Sequence, residues 1–283
     1  SKEMADPHSK PHWLLDNRNS GMTLSNSQIT DFEKRGFLLF PNLLATDEVT
    51  VLQSALPEIF ARQGPEIVRE SEDIDVARLA FGAHTYSKPF QRLIQLPRLL
   101  NPVRQLLDDQ IYLHQSRINP KQGFGKGAAW DWHQDYPPWH EIDGMPNPNS
   151  IMVTVFIDDC TVAKSPLLVI PGSHRPGLLN SEPHADTFGR EYALRNVRRD
   201  DFEQLANNNG IEPLLGDAGT VCFVHCNVLH GSASNVSPWR RAILYLIYNA
   251  VSNACTKTER EWYHNNRDFT PLQPISDNAL LML

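Results

Sequence analysis

Three side chains have the types and spacing to hold a metal: His133, Asp135 two residues on, and His230 far downstream. Two imidazoles and one carboxylate on one face of an ion leave its other positions open, the arrangement used by non-haem Fe(II) oxygenases. His133 and Asp135 lie in Trp130-Asp-Trp-His-Gln-Asp-Tyr-Pro-Pro-Trp139. On extended backbone, residues two apart project to the same side and can reach one ion. Arg241 follows His230 by eleven residues and opens the apolar run Ala242-Ile-Leu-Tyr-Leu-Ile-Tyr248. A guanidinium at the mouth of such a strand suits a bidentate grip on a carboxylate. Beside a metal with open positions that carboxylate can be one end of 2-oxoglutarate, and Ser232 can add a hydroxyl hydrogen bond to it.

With 11 His and 33 acidic residues in 283 positions, roughly one His-x-Asp/Glu is expected at random. A second match, His184-Ala-Asp186, also precedes His230. It sits in a polar, turn-rich segment that reads as a solvated loop. His133 instead is flanked by tryptophans and leads into Ser150-Ile-Met-Val-Thr-Val-Phe-Ile157, a buried-strand pattern. Taken singly, His230 also reads as an inert turn residue and Arg241 as a surface strand-end arginine. Cys222, His225, Cys226 and His230 could be taken for a zinc cluster, but Cys-x3-Cys within an apolar run is poor zinc spacing, and on a strand 222 and 226 point opposite to 225. The four cysteines, at 160, 222, 226 and 255, are expected to be reduced, buried and structural.

The elements that must position these groups follow from periodicity. Ser25 or Ser27 caps a short helix through Phe32, and Thr46-Asp-Glu opens another through Phe60. Gly36 to Pro41 reads as a buried strand, and Pro89 to Leu107 as two helices parted at Pro97. Strands are expected at Ile111 to Asn119, Ser150 to Asp158, Leu167 to Ile170, Thr220 to Val224 and Ala242 to Ala250. Helices first and an all-β body after them predict a sandwich or jelly roll decorated by helices. Residues 1–22 read as a polar tail, residues 23–283 as one domain, and 175–210 as an insertion or lid.

At 41% hydrophobic the chain can bury a substantial core, and its net charge of −7, without a long basic run, argues against nucleic-acid or anionic-membrane partners. No apolar run reaches the roughly 20 residues of a membrane span. The expectation is a cytosolic protein acting on a small soluble molecule, with a homodimer left open.

Four blocks together resemble the phytanoyl-CoA dioxygenase-like Fe(II)/2-oxoglutarate oxygenases, over nearly everything from Leu24 to Leu272. They are Tyr112-Leu-His-Gln-Ser-Arg-Ile-Asn119, the run Trp132 to Met145, Pro166-Leu-Leu-Val-Ile-Pro-Gly-Ser-His174, and Leu229-His-Gly-Ser232 with Ser237-Pro-Trp-Arg-Arg241. The similarity is strongest to the branch of proline trans-4-hydroxylases and ectoine hydroxylases. The resemblance implies a double-stranded β-helix core of the jelly-roll or cupin kind, with His133, Asp135 and His230 as iron ligands. It gives Arg241, Ser232 and Asn119 to 2-oxoglutarate, and Gln115 and Trp139 to the substrate pocket. Tyr248 is matched to a position where ectoine hydroxylases carry Phe, adding a hydroxyl to the pocket and weighing against ectoine. Lys164-Ser165 replaces the family's Asn-Gly before Pro-Leu. His140, Glu141 and Asp143 read as a solvated turn, and Arg78 and His84 as outside candidates for the pocket entrance.

The reaction implied consumes Fe(II)-bound 2-oxoglutarate and O2, yields succinate and CO2, and places a hydroxyl on an unactivated carbon. Asp135 favours hydroxylation, because related halogenases have a small residue there. Free L-proline, hydroxylated at trans-C4, is the leading substrate, with ectoine or a natural product as the alternative. A catalytically silent cupin-like binding protein is the reading of another class; it predicts a broken triad or a missing arginine. A zinc hydrolase leaves Arg241 without a role.

Overall fold

The computed structural model describes residues 23–71, 73–179, 181–183 and 195–282. The segment 1–22, the His184-Ala-Asp186 pair and part of the stretch expected to be an insertion lie outside the described residues.

Helix α1 (Asn26–Arg35) starts on Ser25, whose hydroxyl accepts from Gln28 N while the Gln28 side chain accepts from Ser25 N, a reciprocal cap. It stops at Gly36, φ 87°, where a Cβ would meet His174 Nδ1 and Val228 Cγ2 at 2.6 Å each. Only glycine combines that left-handed turn with that approach. After β1 (Phe37–Phe40) comes α2 (Thr46–Phe60), which buries Val49, Leu52, Leu56 and Ile59 along one face. The pair β2 (Ile67–Arg69) and β3 (Ala77–Phe81) precedes α3 (Ala83–Tyr86), α4 (Lys88–Leu93) and α5 (Pro97–Leu107), the last two parted at Pro97 as its missing N–H requires.

Ten further strands build the body: β4 (Ile111–Asn119), β5 (Trp130–His133), β6 (Ser150–Phe156), β7 (Leu168–Val169), β8 (Ser181–Pro183), β9 (Arg195–Val197), β10 (Glu212–Pro213), β11 (Val221–His225), β12 (His230–Ser232) and β13 (Ile243–Ala250). Helix α6 (Tyr136–Glu141) follows β5, and α7 (Arg199–Asn209) follows β9. They form two antiparallel sheets, ordered β1-β11-β6-β13-β4-β3-β2 and β10-β7-β12-β5-β9-β8. This is the jelly roll, flanked by helices.

Alternation along β13 shows how the layers are held. Leu244, Leu246 and Tyr248 face α2, α4 and α5 in one apolar cluster, whereas Ile243, Tyr245 and Ile247 face the second sheet in another. Strand β4 carries one extra residue against β13: Leu113 pairs with Tyr248 and Gln115 with Ile247, so His114 has no partner. This bulge changes the phase of the strand. Ile111 and Leu113 pack on the helices, and beyond the bulge Gln115, Arg117 and Asn119 turn into the space between the sheets. The stretch expected as an insertion contains, in its described part, β8, β9 and α7. Strand β9 extends the second sheet beside β5, and Phe202 of α7 stacks on Trp132 at 4.9 Å between centroids.

Candidate metal centre and co-substrate site

Strand β5 pairs antiparallel with β12 so that His133 lies directly opposite His230, with ring centroids 4.3 Å apart. Asp135 arrives differently from the extended backbone the sequence predicts. Strand β5 ends at His133, and Asp135 already has helical dihedrals (φ −81°, ψ −30°) as the residue before α6. That turn brings the carboxylate back: Oδ1 is 3.3 Å from His133 Nε2, and Oδ2 is 3.5 Å from His230 Nε2. Gln134 points away and fastens loops, donating to Gly177 O and Asn227 O and accepting from Leu179 N.

Among the described residues, His133, Asp135 and His230 form the one group of His, Cys, Asp or Glu side chains placed to hold an ion, their ligand atoms all within 4.8 Å of one another. His133 Nδ1 faces Asp131 O at 2.5 Å and His230 Nδ1 faces Val228 O at 2.9 Å. Each carbonyl fixes the proton on Nδ1 and leaves the Nε2 lone pair toward Asp135. Burial pushes His230 down to about 4, which keeps it neutral, as a ligand must be. Burial by itself would raise Asp135, but the Arg117 guanidinium 3.2 Å away helps hold it far below the usual carboxylate range. All four cysteines are buried free thiols, and Cys222 and Cys226 belong to the core between the sheets.

The cleft above the triad is lined by Gln115, Arg117 and Asn119 of β4, Trp130 of β5, Pro138 and Trp139 of α6, Ser232 of β12, and Tyr245 of β13. Leu79, Phe81 and Leu167 complete its apolar wall, and Arg260 and His264 enter from the C-terminal segment. Arg117 spans two neighbours, donating to Gln115 Oε1 at 2.6 Å and to Asp135 Oδ2 at 3.2 Å. Gln115 Nε2 in turn donates to His264 O at 3.0 Å.

Arg241 is completely buried, and all three of its guanidinium nitrogens lack a hydrogen-bond partner. A buried cation with no acceptor is costly, so the site is built for an anion. Arg240, one residue earlier, faces the other way and forks onto Asp158 at 2.7 and 2.9 Å. Ser232 Oγ accepts from Lys121 Nζ at 2.7 Å, and Asn119 Oδ1 accepts from Lys121 N at 3.1 Å.

Of the residues matched to the substrate pocket, Gln115 and Trp139 line the cleft and Tyr248 does not. Tyr248 lies on the helix-facing side of β13, and its hydroxyl donates to Ile94 O at 2.7 Å. The inward tyrosine of that strand is Tyr245, three residues earlier and of opposite parity. Asp143 is likewise no solvated turn residue. It is fully buried, receives a fork from Arg260 at 2.8 and 2.6 Å, and lies 3.2 Å from His114 Nε2. Arg78 stacks on Trp130 at 3.8 Å and donates to Ala129 O; neither it nor His84 lines the cleft. Sequence reasoning passed over Arg117, Lys121, Tyr245, Arg260 and His264. Period-two spacing from Gln115 and Asn119 points to Arg117, and spacing from Arg241 points to Tyr245. Arg260 and His264 are in irregular backbone, which has no such period.

A jelly roll with two histidines and an aspartate converging between its sheets, and an unpaired arginine buried just ahead of a strand that lines the same cleft, defines an iron and 2-oxoglutarate oxygenase. The chain belongs to the phytanoyl-CoA dioxygenase family, whose model matches residues 32–243. It is 36% identical over 245 residues to an ectoine dioxygenase of Bordetella parapertussis, covering 81% of this chain and 77% of that one. It is 34% identical over 260 residues to an L-proline trans-4-hydroxylase of Streptomyces griseoviridis, covering 88% and 95%. The crystal structure of EctD from S. alaskensis with 2-oxoglutarate and 5-hydroxyectoine superposes with a TM-score of 0.75 at 32% identity, covering 97% of this chain and 95% of that one. The protein is a 2-oxoglutarate-dependent dioxygenase using Fe(II), 2-oxoglutarate and O2. Among the described residues no helix is long and apolar enough to cross a membrane.

Proposed function

We propose that the enzyme hydroxylates an unactivated C–H of a small, cyclic, carboxylate-bearing amino-acid derivative, with ectoine first and free L-proline second. The observation that carries this reading is the wall facing the triad, where the guanidinium groups of Arg117 and Arg260 stand among Phe81, Trp130, Trp139 and Tyr245. Aromatic faces suit a compact ring with cationic character, and the guanidinium groups suit its carboxylate. The preference for ectoine over L-proline reverses the order read from the sequence. Ectoine dioxygenases recur among the relatives at 30% identity or more. The hydroxyl that spoke against ectoine belongs to Tyr248, which is outside the cleft.

His133, Asp135 and His230 would hold the iron, their Nε2 and carboxylate atoms already converging. Arg241 and Ser232 would take the distal carboxylate of 2-oxoglutarate, and Asn119, whose Oδ1 is engaged by Lys121 N, would present its NH2 group to the co-substrate. Iron held there would let O2 act as the oxidant, with two electrons drawn from 2-oxoglutarate as it becomes succinate and CO2 and two from the substrate C–H as it becomes C–OH. The chain does the positioning. Arg117 ties the metal carboxylate to Gln115, so the ligand cannot rotate without disturbing the substrate wall. Trp139 packs edge-on against His114 at 5.5 Å, which fixes its ring, beside Pro138, in the wall of the cleft.

The test is succinate release by anaerobically iron-loaded protein given O2, 2-oxoglutarate and a panel of ectoine, L-proline, pipecolate and other free amino acids. Ectoine-stimulated turnover with a product heavier by one oxygen atom is the expected result. Stimulation by L-proline alone restores the second reading, and stimulation by no member of the panel refutes the substrate class.

A further inference from the structure

His264 enters the cleft from the C-terminal segment, 3% exposed, and its Nδ1 has no hydrogen-bond partner. The turn that carries it is fixed on both sides. His264 N and Asn265 N both donate to Glu261 O, at 3.0 and 3.1 Å, and His264 O accepts from Gln115 Nε2. The imidazole meets the Phe81 ring edge-on at 4.6 Å. At Gly82 (φ 71°) a Cβ would reach the Trp262 ring at 2.8 Å, so the turn seats closely against the end of β3 because glycine stands there. Arg260, earlier in the same turn, is held in the cleft by Asp143. Burial, then Arg260, push His264 down to about 4 against the opposing effect of Asp143, so the ring is neutral at neutral pH. A neutral imidazole has one donor and one acceptor nitrogen, and a buried polar atom left open costs free energy until a ligand pairs with it.

We propose that His264 reads the ring nitrogen of the substrate, its Nδ1 accepting from the N–H next to the carboxylate that Arg260 takes. The inference rests on the proposed substrate class and goes beyond it, by assigning the cationic half of the molecule to one protein atom. Ectoine and L-proline both carry a ring nitrogen and a carboxylate on one shared carbon. A guanidinium and a neutral acceptor presented by one turn match that pair of groups. The other acceptors of the cleft are engaged. Asp135 belongs to the triad and receives Arg117 at 3.2 Å, and Gln115 Oε1 accepts from Arg117 at 2.6 Å. Asn119 Oδ1 accepts from Lys121 N at 3.1 Å and Ser232 Oγ from Lys121 Nζ at 2.7 Å. The Tyr245 ring has the Arg117 guanidinium at 5.2 Å, where a second cation is repelled.

The consequence is selectivity. A site built to pair with an N–H rejects a ligand that lacks it, because the protein group is then left buried and unpaired. Cyclopentanecarboxylate keeps the ring and carboxylate of L-proline but has CH2 in place of nitrogen, so it gives nothing to His264 and leaves Nδ1 open. Asparagine at this position keeps an acceptor, because its Oδ1 falls near the place of the histidine Nδ1. Leucine and methionine keep bulk and remove the acceptor.

The experiment is calorimetric titration of ectoine, L-proline and cyclopentanecarboxylate into anaerobic protein loaded with Mn(II) and 2-oxoglutarate. It compares the wild type with His264→Leu, His264→Met and His264→Asn, and the affinity of each for 2-oxoglutarate checks that the cleft is folded; two apolar variants are used so that a misfit of one leaves the other. The nitrogen-bearing substrate should bind the apolar variants about ten- to a hundredfold more weakly than the wild type. His264→Asn should recover most of that loss, and cyclopentanecarboxylate should bind the apolar variants at least as well as the wild type. Apolar and Asn variants that bind the nitrogen-bearing substrate alike overturn the proposal, as does an equal loss for cyclopentanecarboxylate. Wild-type protein that binds neither ectoine nor L-proline overturns the substrate class itself, which separates the two failures.

Discussion

Replacing Arg241 by Met should make the protein more stable and nearly blind to 2-oxoglutarate. The guanidinium is completely buried with three unpaired nitrogens. An uncompensated buried charge carries an effective penalty of several kcal/mol, and an apolar side chain of similar length avoids it. Even a recovery of about 2 kcal/mol would raise the melting temperature by roughly 3–4 °C in a domain of this size. On the proposed assignment of Arg241 to the distal carboxylate, the same substitution removes one partner of a charge-assisted pair, at a cost of about 2–5 kcal/mol. At about 3 kcal/mol the dissociation constant rises about a hundredfold. With ligand at about 100 times its dissociation constant the wild type gains about 2.7 kcal/mol, whereas the variant gains only about 0.4 kcal/mol. Thermal melts of both proteins with Mn(II), with and without 2-oxoglutarate, read both effects at once. A variant that melts below the wild type without ligand, or that 2-oxoglutarate stabilises equally, would refute the reasoning.

Asp135→Ala removes the carboxylate that joins both imidazoles and leaves Arg117 without its acid. Iron affinity should fall by more than about a hundredfold, above the cost of losing an outer partner, and turnover should vanish; metal analysis after dialysis checks this. Tyr248→Phe removes only the bond to Ile94 O. It should cost about 1 kcal/mol in denaturant melts and leave substrate KM unchanged, whereas Tyr245→Phe should change KM. Asp143→Asn weakens the fork that holds Arg260 in the cleft. Substrate KM should rise about tenfold with the KM for 2-oxoglutarate unaltered, a split visible in steady-state kinetics. Finally, burial depresses His84, His225 and His264 to about 4 each. The unfolded chain takes up protons at these residues near pH 6.5 and the folded chain does not, so stability is full above about 6.5 and is lost as pH falls toward 4, by up to about 3 kcal/mol per histidine. Urea melts across this range should show it; a flat profile would contradict the burial of these rings.

The sequence by itself determined the reaction. His133, Asp135, His230 and Arg241 are few, chemically specific, and set in patterns that local periodicity can read. The strand at 111–119 and the helix break at Pro97 follow from side-chain alternation and a missing N–H, which are properties of neighbouring residues. The tertiary structure alone decided which aromatic faces the substrate. Counting from Arg241, period two reaches Tyr245 and excludes Tyr248, but which parity faces the second sheet depends on what packs against β13. The bulge at His114, which turns Gln115, Arg117 and Asn119 inward, exists only because β4 pairs with β13 in that register. Asp143 reads as a turn in its own segment and is buried because His114 and Arg260, from residues distant in sequence, close over it. Local chemistry leaves a mark in a linear chain. Register, facing and long-range charge pairing do not, because each depends on a partner that only folding brings near.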